Sequence, residues 1–293
     1  MSRGLFLSVL SSLLFALLYY YSSLLFPLDG EQVFGWRLLL TFPCLTLFMI
    51  VSGDWTAASN LGRRLLHSPA LVAGLLASAF LLGVQLWLFM WAPLVGRAMQ
   101  VSLGYFLMPL VIVLAGGLFY RDRLSRLQKL AVVCAALGVA HELYRVGGFS
   151  WETLLVAFGY PLYFMLRRRL GTHNLGGLWF DMALLLPAAG WFVATGSPLA
   201  ILESRPALYP LILLLGALSA MALICYTLAS RLLAFSLFGL LGYVEPVLLV
   251  GVALLLGESI GASEWLTYLP IWLAVMLLVL EGVKHLSTRR LVP

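Results

Sequence analysis

Charged side chains are scarce in this 293-residue chain. Asp, Glu, Lys and Arg together make up only 10% of it, whereas 62% of its residues are apolar. Soluble domains have about 45–50% apolar and about 25% charged residues. A chain of this length cannot bury such an excess in one water-facing fold, because its own surface must still be solvated. The composition therefore excludes a soluble protein and predicts that many side chains face lipid.

Cysteine and histidine are also sparse, and neither shows metal-binding spacing. The three cysteines, Cys44, Cys134 and Cys225, lie within apolar runs without a CxxC pair, and the four histidines are scattered. We interpret the cysteines as small core residues. The chain has no Walker A motif, which would indicate ATP use. It also has no His/Asp or Ser/His cluster at one membrane depth, which would indicate an enzyme. We predict no catalytic residues, no metal site and no cofactor.

Long apolar runs dominate instead. A helix needs about 20 apolar residues to cross a bilayer, and helices satisfy the backbone there. The first run is too long for a signal peptide, so we count it as a span. The sequence predicts an all-α membrane protein with ten transmembrane helices, at 4–26, 34–52, 70–92, 99–119, 127–144, 151–167, 176–195, 208–230, 235–256 and 265–283.

The loop charges predict the orientation. If the N-terminus is inside, ten spans return the C-terminus to the same side, with fourteen Lys and Arg residues inside and three outside. Such a bias is typical of cytoplasmic loops. Both termini are therefore predicted to be cytoplasmic, and basic runs such as Arg167, Arg168 and Arg169 are read as topology determinants, with no nucleic-acid role. Glu142 and Glu152, close to the outer ends of their predicted spans, are counted with Glu264 among the outside charges.

Matched features divide the spans into two halves, 1–146 and 147–293. In span 2 Arg37 is followed six residues later by Pro43, and in span 7 Asp181 is followed six residues later by Pro187. The second match is between Gly104-Tyr105-Phe106-Leu107-Met108-Pro109 of span 4 and Leu241-Gly242-Tyr243-Val244-Glu245-Pro246 of span 9. Because each half has five spans, the second must enter the membrane from the opposite side. The loop after span 4 is basic and the loop after span 9 is acidic, in agreement with this inversion. We predict two inverted five-helix repeats, an arrangement typical of alternating-access transporters.

Short stretches along the whole chain carry a family resemblance. They are Leu88-Phe89-Met90-Trp91-Ala92, Ser102-Leu103-Gly104-Tyr105-Phe106 with Pro109, Leu127-Gln128-Lys129-Leu130-Ala131-Val132, Leu186-Pro187-Ala188 and Leu256-Gly257-Glu258. The chain resembles the drug/metabolite transporter superfamily with EamA-type repeats, and more narrowly its RarD branch. This resemblance implies a permease of the bacterial inner membrane that exports a small metabolite or drug.

Three charged residues are predicted to lie at bilayer depth, where charge is costly and usually functional. Arg37 is a candidate clamp for a substrate anion, or else a structural partner of an acid. Glu245 precedes Pro246, which frees backbone carbonyls and allows a bend. A low dielectric favours the neutral form of a carboxyl, so Glu245 and Asp181 are candidate proton-coupling residues; hydrogen-bonded structural acids are the alternative.

Polar and aromatic residues within the spans complete the candidate site. We predict that Gln85, Gln100, Tyr105, Tyr163 and Tyr243 bind substrate together with Arg37, although such aromatics also serve as packing or interface residues. Pro109 and Pro246 are candidate hinges.

The sequence thus favours a secondary transporter that moves a small organic molecule by alternating access. A lipid-moving protein or a structural membrane subunit is the alternative. The predicted partners are a small-molecule substrate and membrane lipids, and a homodimer is compatible with this interpretation.

Overall fold

The computed structural model describes residues 2–94, 97–195, 202–255, 261 and 263–290. This part of the chain is helical, and no strand occurs in it. The stretch Leu256-Gly257-Glu258 of the family resemblance lies outside the described residues. The helices are α1 (Ser2–Ser22), α2 (Gly30–Ser52), α3 (Trp55–Leu65), α4 (Pro69–Leu94), α5 (Ala98–Phe119), α6 (Arg126–Val146), α7 (Trp151–Leu170), α8 (Leu175–Thr195), α9 (Leu208–Leu232), α10 (Phe235–Leu241), α11 (Val244–Leu255) and α12 (Trp265–Arg290).

Length and hydropathy identify membrane-crossing candidates among these helices. Within the described ranges, six segments are long and apolar enough to span a bilayer: Arg3–Tyr21, Gly30–Ser52, Pro69–Ala92, Arg126–Arg145, Leu175–Thr195 and Leu208–Leu232. Leu103–Phe119, Phe235–Leu248 and Trp265–Glu281 are shorter apolar helical segments. The all-helical, multi-pass membrane character is thereby confirmed. The count of ten spans stays a prediction, because α5, α7, α10–α11 and α12 are not among the six candidates. Helix α7 is long enough, with 20 residues, but it is not apolar enough.

Side-chain caps define where α2 and α6 begin. Asp29 accepts a hydrogen bond from the Gln32 amide, and the Gln32 side chain accepts one from the Asp29 amide. Ser125 and Gln128 form the same reciprocal pair at the start of α6. Such capping boxes satisfy amides that have no partner within the helix. Both helices end at a glycine with positive φ: Gly53 at 77° and Gly147 at 83°.

The chain forms two compact units that do not coincide with the two sequence halves. Unit 1 comprises Met1–Ala16, Met99–Pro161 and Ala229–Pro293, and unit 2 comprises Leu17–Ala98 and Leu162–Leu228. Each unit contains helices from both halves, and α1, α7 and α9 contribute residues to both units. The division into repeats at 146/147 concerns sequence relatedness and stays a prediction.

In unit 1 the main packing is between α6 and α12. Their facing residues include Ala131, Ala135, Ile271 and Ala274, all fully buried. Gly138 lets the two backbones approach, because a Cβ at this position would lie 2.6 Å from the Thr267 carbonyl oxygen. Small residues at a helix interface permit this close contact within a membrane.

In unit 2 the central helix is α8, which packs against α2, α3 and α4. Gly35 permits close approach of α2 and α8, as Gly138 does for α6 and α12, because a Cβ on Gly35 would lie 2.8 Å from the Ala189 carbonyl oxygen. Helix α3 was not anticipated: its residues fall in the predicted connection between spans 2 and 3. Its buried face contains Ala58 and Leu61, and Arg63 and Arg64 lie in its last turn.

Candidate functional site

A buried polar network joins α7 to α8 in unit 2. The Asp181 side chain is fully buried, and the Tyr163 hydroxyl donates a hydrogen bond of 3.0 Å to its Oδ2. Arg167 Nη1 lies 3.7 Å from the same oxygen and also donates to the Tyr163 hydroxyl. The positive charge of Arg167 therefore compensates the buried negative charge of Asp181. Two predicted site residues, Tyr163 and Asp181, are directly in contact.

Arg167 is held in place by the turn between the two helices. Its Nε and Nη2 donate to the Thr172 carbonyl oxygen at 3.0 and 2.7 Å, and Nη2 also donates to the Asn174 carbonyl oxygen at 2.6 Å. Only 1% of Arg167 is exposed. The sequence predicts Arg167 only as a topology determinant at the end of span 151–167. The structure adds that its side chain folds under the turn and donates to the turn's carbonyl oxygens.

This network retains unused hydrogen-bonding capacity. Asp181 Oδ1 and the Ser78 hydroxyl of α4 are buried, and neither forms a well-aligned hydrogen bond to the described residues, although the two groups lie close enough to interact. Buried polar atoms are normally paired. The structure thus places the Ser78 hydroxyl of α4 within reach of the Asp181 carboxylate, next to Tyr163 and Arg167.

Arg37 occupies a second buried position in unit 2. Only 3% of it is exposed, and its Nε donates a hydrogen bond of 2.8 Å to Ser219 Oγ of α9. One turn further along α2, the Thr41 hydroxyl is buried without a hydrogen-bond partner among the described residues. Gln85 of α4 is also buried. Arg37 is thus a buried cation that contacts α9 through the Ser219 hydroxyl, and its side chain does not reach solvent.

In unit 1 the predicted ninth span is interrupted. Helix α10 ends at Leu241, Gly242 and Tyr243 form a turn, and α11 begins at Val244. Pro246 cannot donate to the Gly242 carbonyl oxygen, which accepts instead from the Glu245 amide at 3.3 Å. The bend that Pro246 predicts thus lies one turn before it, at Gly242 and Tyr243. Gly242 keeps right-handed helical angles (φ −58°, ψ −21°), and Phe235–Leu248 forms one apolar helical segment.

The break packs against α5. The Tyr243 hydroxyl donates a hydrogen bond of 3.0 Å to the Phe106 carbonyl oxygen, and the ring is fully buried. A Cβ on Gly242 would lie 3.6 Å from the Pro109 ring. The structure thus places Tyr243 and the candidate hinge Pro109 at the break. The Tyr243 hydroxyl is occupied by a backbone carbonyl, an arrangement typical of a structural residue.

Glu245 lies in the first turn of α11, directly after the break, and is half-buried. The N-terminus of a helix carries a partial positive charge that stabilises an anion.

Gln100 and Tyr105 lie on α5 opposite the first half of α7. The Tyr105 and Tyr160 ring centroids are 6.4 Å apart. The Gln100 carbonyl accepts a hydrogen bond of 2.7 Å from Thr153, while its side-chain Oε1 is buried with no partner in the described parts of the chain. These residues provide a polar and aromatic surface within unit 1.

A second charged cluster, in unit 1, corrects another prediction. Glu142 was counted among the outside charges at the end of span 127–144, but in α6 it is only 5% exposed. Arg145 and Thr267 both donate to its carboxylate, at 2.6 and 2.8 Å, and Arg145 also lies 3.3 Å from Glu264. Glu152, likewise counted among the outside charges, is fully buried in the first turn of α7.

Neither network has the composition of a metal site. Over the described residues, no group of three or more His, Cys, Asp or Glu side chains is placed to hold a metal ion. The buried charges are instead paired with arginine, tyrosine and backbone groups.

Comparison with known proteins gives whole-length matches. The chain is 43% identical over 277 residues to the chloramphenicol-sensitive protein RarD of Pseudomonas aeruginosa, covering 94% of this chain and 93% of that protein. It is 38% identical over 289 residues to an uncharacterised transporter of Pasteurella multocida, covering 99% of both. Protein RarD of Escherichia coli K12 is 26% identical, with 96% of this chain and 95% of that protein covered.

Two further comparisons complete this picture. No profile of a known protein family matches the chain. One solved crystal structure superimposes with a TM-score of 0.66 at 16% sequence identity, covering 95% of this chain and 98% of the other. At that identity the likeness shows the fold alone.

Proposed function

The chain belongs to the RarD-like branch of the drug/metabolite transporter family, and on that premise we propose that it is a secondary permease that exports a small organic metabolite or drug across the bacterial inner membrane. We propose alternating access between two inverted five-helix repeats, with both termini in the cytoplasm.

The observation that carries this proposal is the burial of opposite charges within apolar, membrane-length helices. Asp181 lies in α8 and Arg37 in α2, and both helices are long and apolar enough to cross a bilayer. Charged groups at that depth are costly and are usually retained for transport or proton movement. A purely structural membrane subunit has less need of them.

The packing within each unit supports the proposed repeat. Helices α2 and α8 would be the second spans of the two halves, and they pack together in unit 2. Helices α6 and α12 would be the fifth spans, and they pack together in unit 1. A glycine of the first-half helix permits close approach in each pair, Gly35 and Gly138. Pairing of corresponding helices is what a twofold pseudo-symmetric arrangement of repeats produces.

We assign proton coupling to Glu245 and Asp181. Glu245 follows a helix break, and discontinuous helices are where transporters place coupling ions and substrate groups. Protonation of Asp181 would remove its attraction to Arg167, which is tied to the α7–α8 turn. A change of charge at Asp181 would in this way alter how firmly the two helices are held together.

We assign substrate binding to Arg37, Gln85, Gln100, Tyr105, Tyr163 and Tyr243, as the sequence predicts. Arg37 would bind a carboxylate or another anionic group, because a guanidinium donates paired hydrogen bonds. The aromatic residues favour an amphipathic or aromatic solute. Among these residues, Arg37, Gln100 and Tyr105 have the geometry most compatible with a ligand, whereas Tyr243 serves the α10–α11 break.

The experiment compares metabolites in the medium of cells that overexpress or lack the protein, and then tests accumulated compounds in proteoliposomes with an imposed pH gradient. We expect Glu245→Gln to abolish the response to the gradient, because the amide cannot exchange a proton. Glu31→Gln is the matched control, since Glu31 also lies in the first turn of a helix but is exposed.

Two outcomes would contradict the proposal. Identical solute fluxes in protein-containing and protein-free vesicles would contradict the proposed transport function. Equal responses of wild type and Glu245→Gln to the gradient would remove the assignment of proton coupling to Glu245. Labelled phospholipids in the same vesicles test the alternative of lipid movement.

A further inference from the structure

A basic surface pocket of about 620 Å³ lies in unit 2, where α3, the start of α4 and the end of α7 meet. Three arginines line it, Arg63 and Arg64 from α3 and Arg169 from α7, together with His67 and Ser68. No carboxylate lines this pocket, and none of the three arginines forms an ion pair with a described acidic residue. Three like charges gathered without a counter-ion form a binding site for an anion.

The backbone around the pocket fixes this arrangement. Arg64 Nη2 donates a hydrogen bond of 2.9 Å to the Leu170 carbonyl oxygen, which joins the end of α3 to the end of α7. Ser68 accepts hydrogen bonds from the Leu71 amide through both its hydroxyl and its carbonyl, so it caps the N-terminus of α4. The positive end of the α4 dipole therefore adds to the field of the arginines.

The position of the pocket points to a lipid. Helices α2 and α4 are both long and apolar enough to cross a bilayer, and α3 connects their ends at Ser52 and Pro69. The pocket thus lies at the depth of the lipid headgroups. Its remaining wall is apolar, formed by Ala70, Leu71 and Leu170, and Leu66 beside it is 82% exposed. A ligand that joins a phosphate to an apolar tail matches both surfaces.

We propose that this pocket binds the phosphate headgroup of an anionic phospholipid in the adjacent leaflet, with Arg63 and Arg169 contacting the phosphate. Basic residues at a membrane surface attract anionic lipids at about 1 kcal/mol each, which corresponds to about fivefold in affinity. The α3 helix gains a function from this assignment, because it presents the pocket while its other face packs on α8. The proposal does not depend on the transport function.

Binding is measured with the purified full chain in mixed micelles, titrated with phosphatidylglycerol, with phosphatidylcholine or with inorganic phosphate, and followed by native mass spectrometry and thermal unfolding. We expect wild type to bind phosphatidylglycerol and to gain thermal stability from it. The variant Arg63→Gln/Arg169→Gln should bind about 25-fold more weakly. Arg123→Gln/Arg126→Gln, which removes two exposed arginines outside the pocket, is the matched control and should bind like wild type.

Three results would overturn the proposal: equal phosphatidylglycerol affinity in wild type and the pocket variant, an equal loss in the matched control, or equal stabilisation by phosphatidylcholine. Stabilisation by inorganic phosphate as large as that by the lipid would reassign the pocket to a free anion. Unchanged melting of the pocket variant in lipid-free micelles separates lost binding from misfolding.

Discussion

Replacing Arg167 by methionine tests the buried network of α7 and α8 most directly. The substitution keeps an unbranched side chain but removes the charge and all donors of the guanidinium. It leaves Asp181 as an uncompensated buried carboxylate and removes the guanidinium donors to the Thr172 and Asn174 carbonyl oxygens, each of which keeps one backbone amide donor. Breaking a buried ion pair by removing one partner costs about 3–5 kcal/mol. We expect Arg167→Met to lower the free energy of unfolding by that amount.

The partner substitution separates the ion pair from the rest of the effect. In Arg167→Met/Asp181→Asn the buried charge is gone, so the double variant should lose at least about 1 kcal/mol less than the sum of the two single losses. Arg231→Met is the control, because Arg231 is an exposed arginine in the last turn of α9. Its effect should stay within about 0.5 kcal/mol.

The measurement is unfolding by SDS in mixed micelles, followed by the fluorescence of the nine tryptophans. Additive losses in the two single variants would show that Arg167 and Asp181 do not interact. Unfolding of Arg167→Met at the same SDS fraction as Arg231→Met would show that Arg167 is only a topology determinant, as the sequence alone suggests.

Two further predictions concern unit 1 and use the same unfolding measurement. Gly138→Ala should destabilise the protein by about 1–3 kcal/mol, because a Cβ there would lie 2.6 Å from the Thr267 carbonyl oxygen; Gly117→Ala, with nothing within 4 Å, is its control, and equal effects would refute the close packing of α6 on α12. Tyr243→Phe should cost about 1 kcal/mol through the lost hydrogen bond to Phe106, and an unchanged midpoint would show that the hydroxyl does not stabilise the break in the helix.

The interrupted ninth span illustrates a partial success of sequence reasoning. The proline in 235–256 predicts a bend, and Pro246 does remove the donor to the Gly242 carbonyl oxygen. The packing of this bend is not local, because the Tyr243 hydroxyl donates to the Phe106 carbonyl oxygen of α5. That partner lies 137 residues away and is invisible in the local sequence.

The arginines at the end of α7 also show that the local sequence does not predict which charged side chains are buried. Arg167 and Arg169 both belong to a basic run that the inside bias explains, yet one is 1% exposed and the other lies on the surface. At 100° per residue they point about 200° apart around the helix. One signal was present in the sequence: Tyr163 and Arg167 are four residues apart and therefore share a face.

The sequence by itself determined that this protein is a multi-pass helical membrane protein. Lipid contact requires apolar side chains, and a backbone in lipid must form its own hydrogen bonds, as a helix does. Both requirements produce long apolar segments that are visible in the sequence. Only the tertiary structure decided which charges are buried. Arg167, Glu142 and Glu152 acquired that role because α8, α12 and the turns between helices place partners or low-dielectric surroundings next to them. Those neighbours are distant in sequence, so local hydropathy does not predict them.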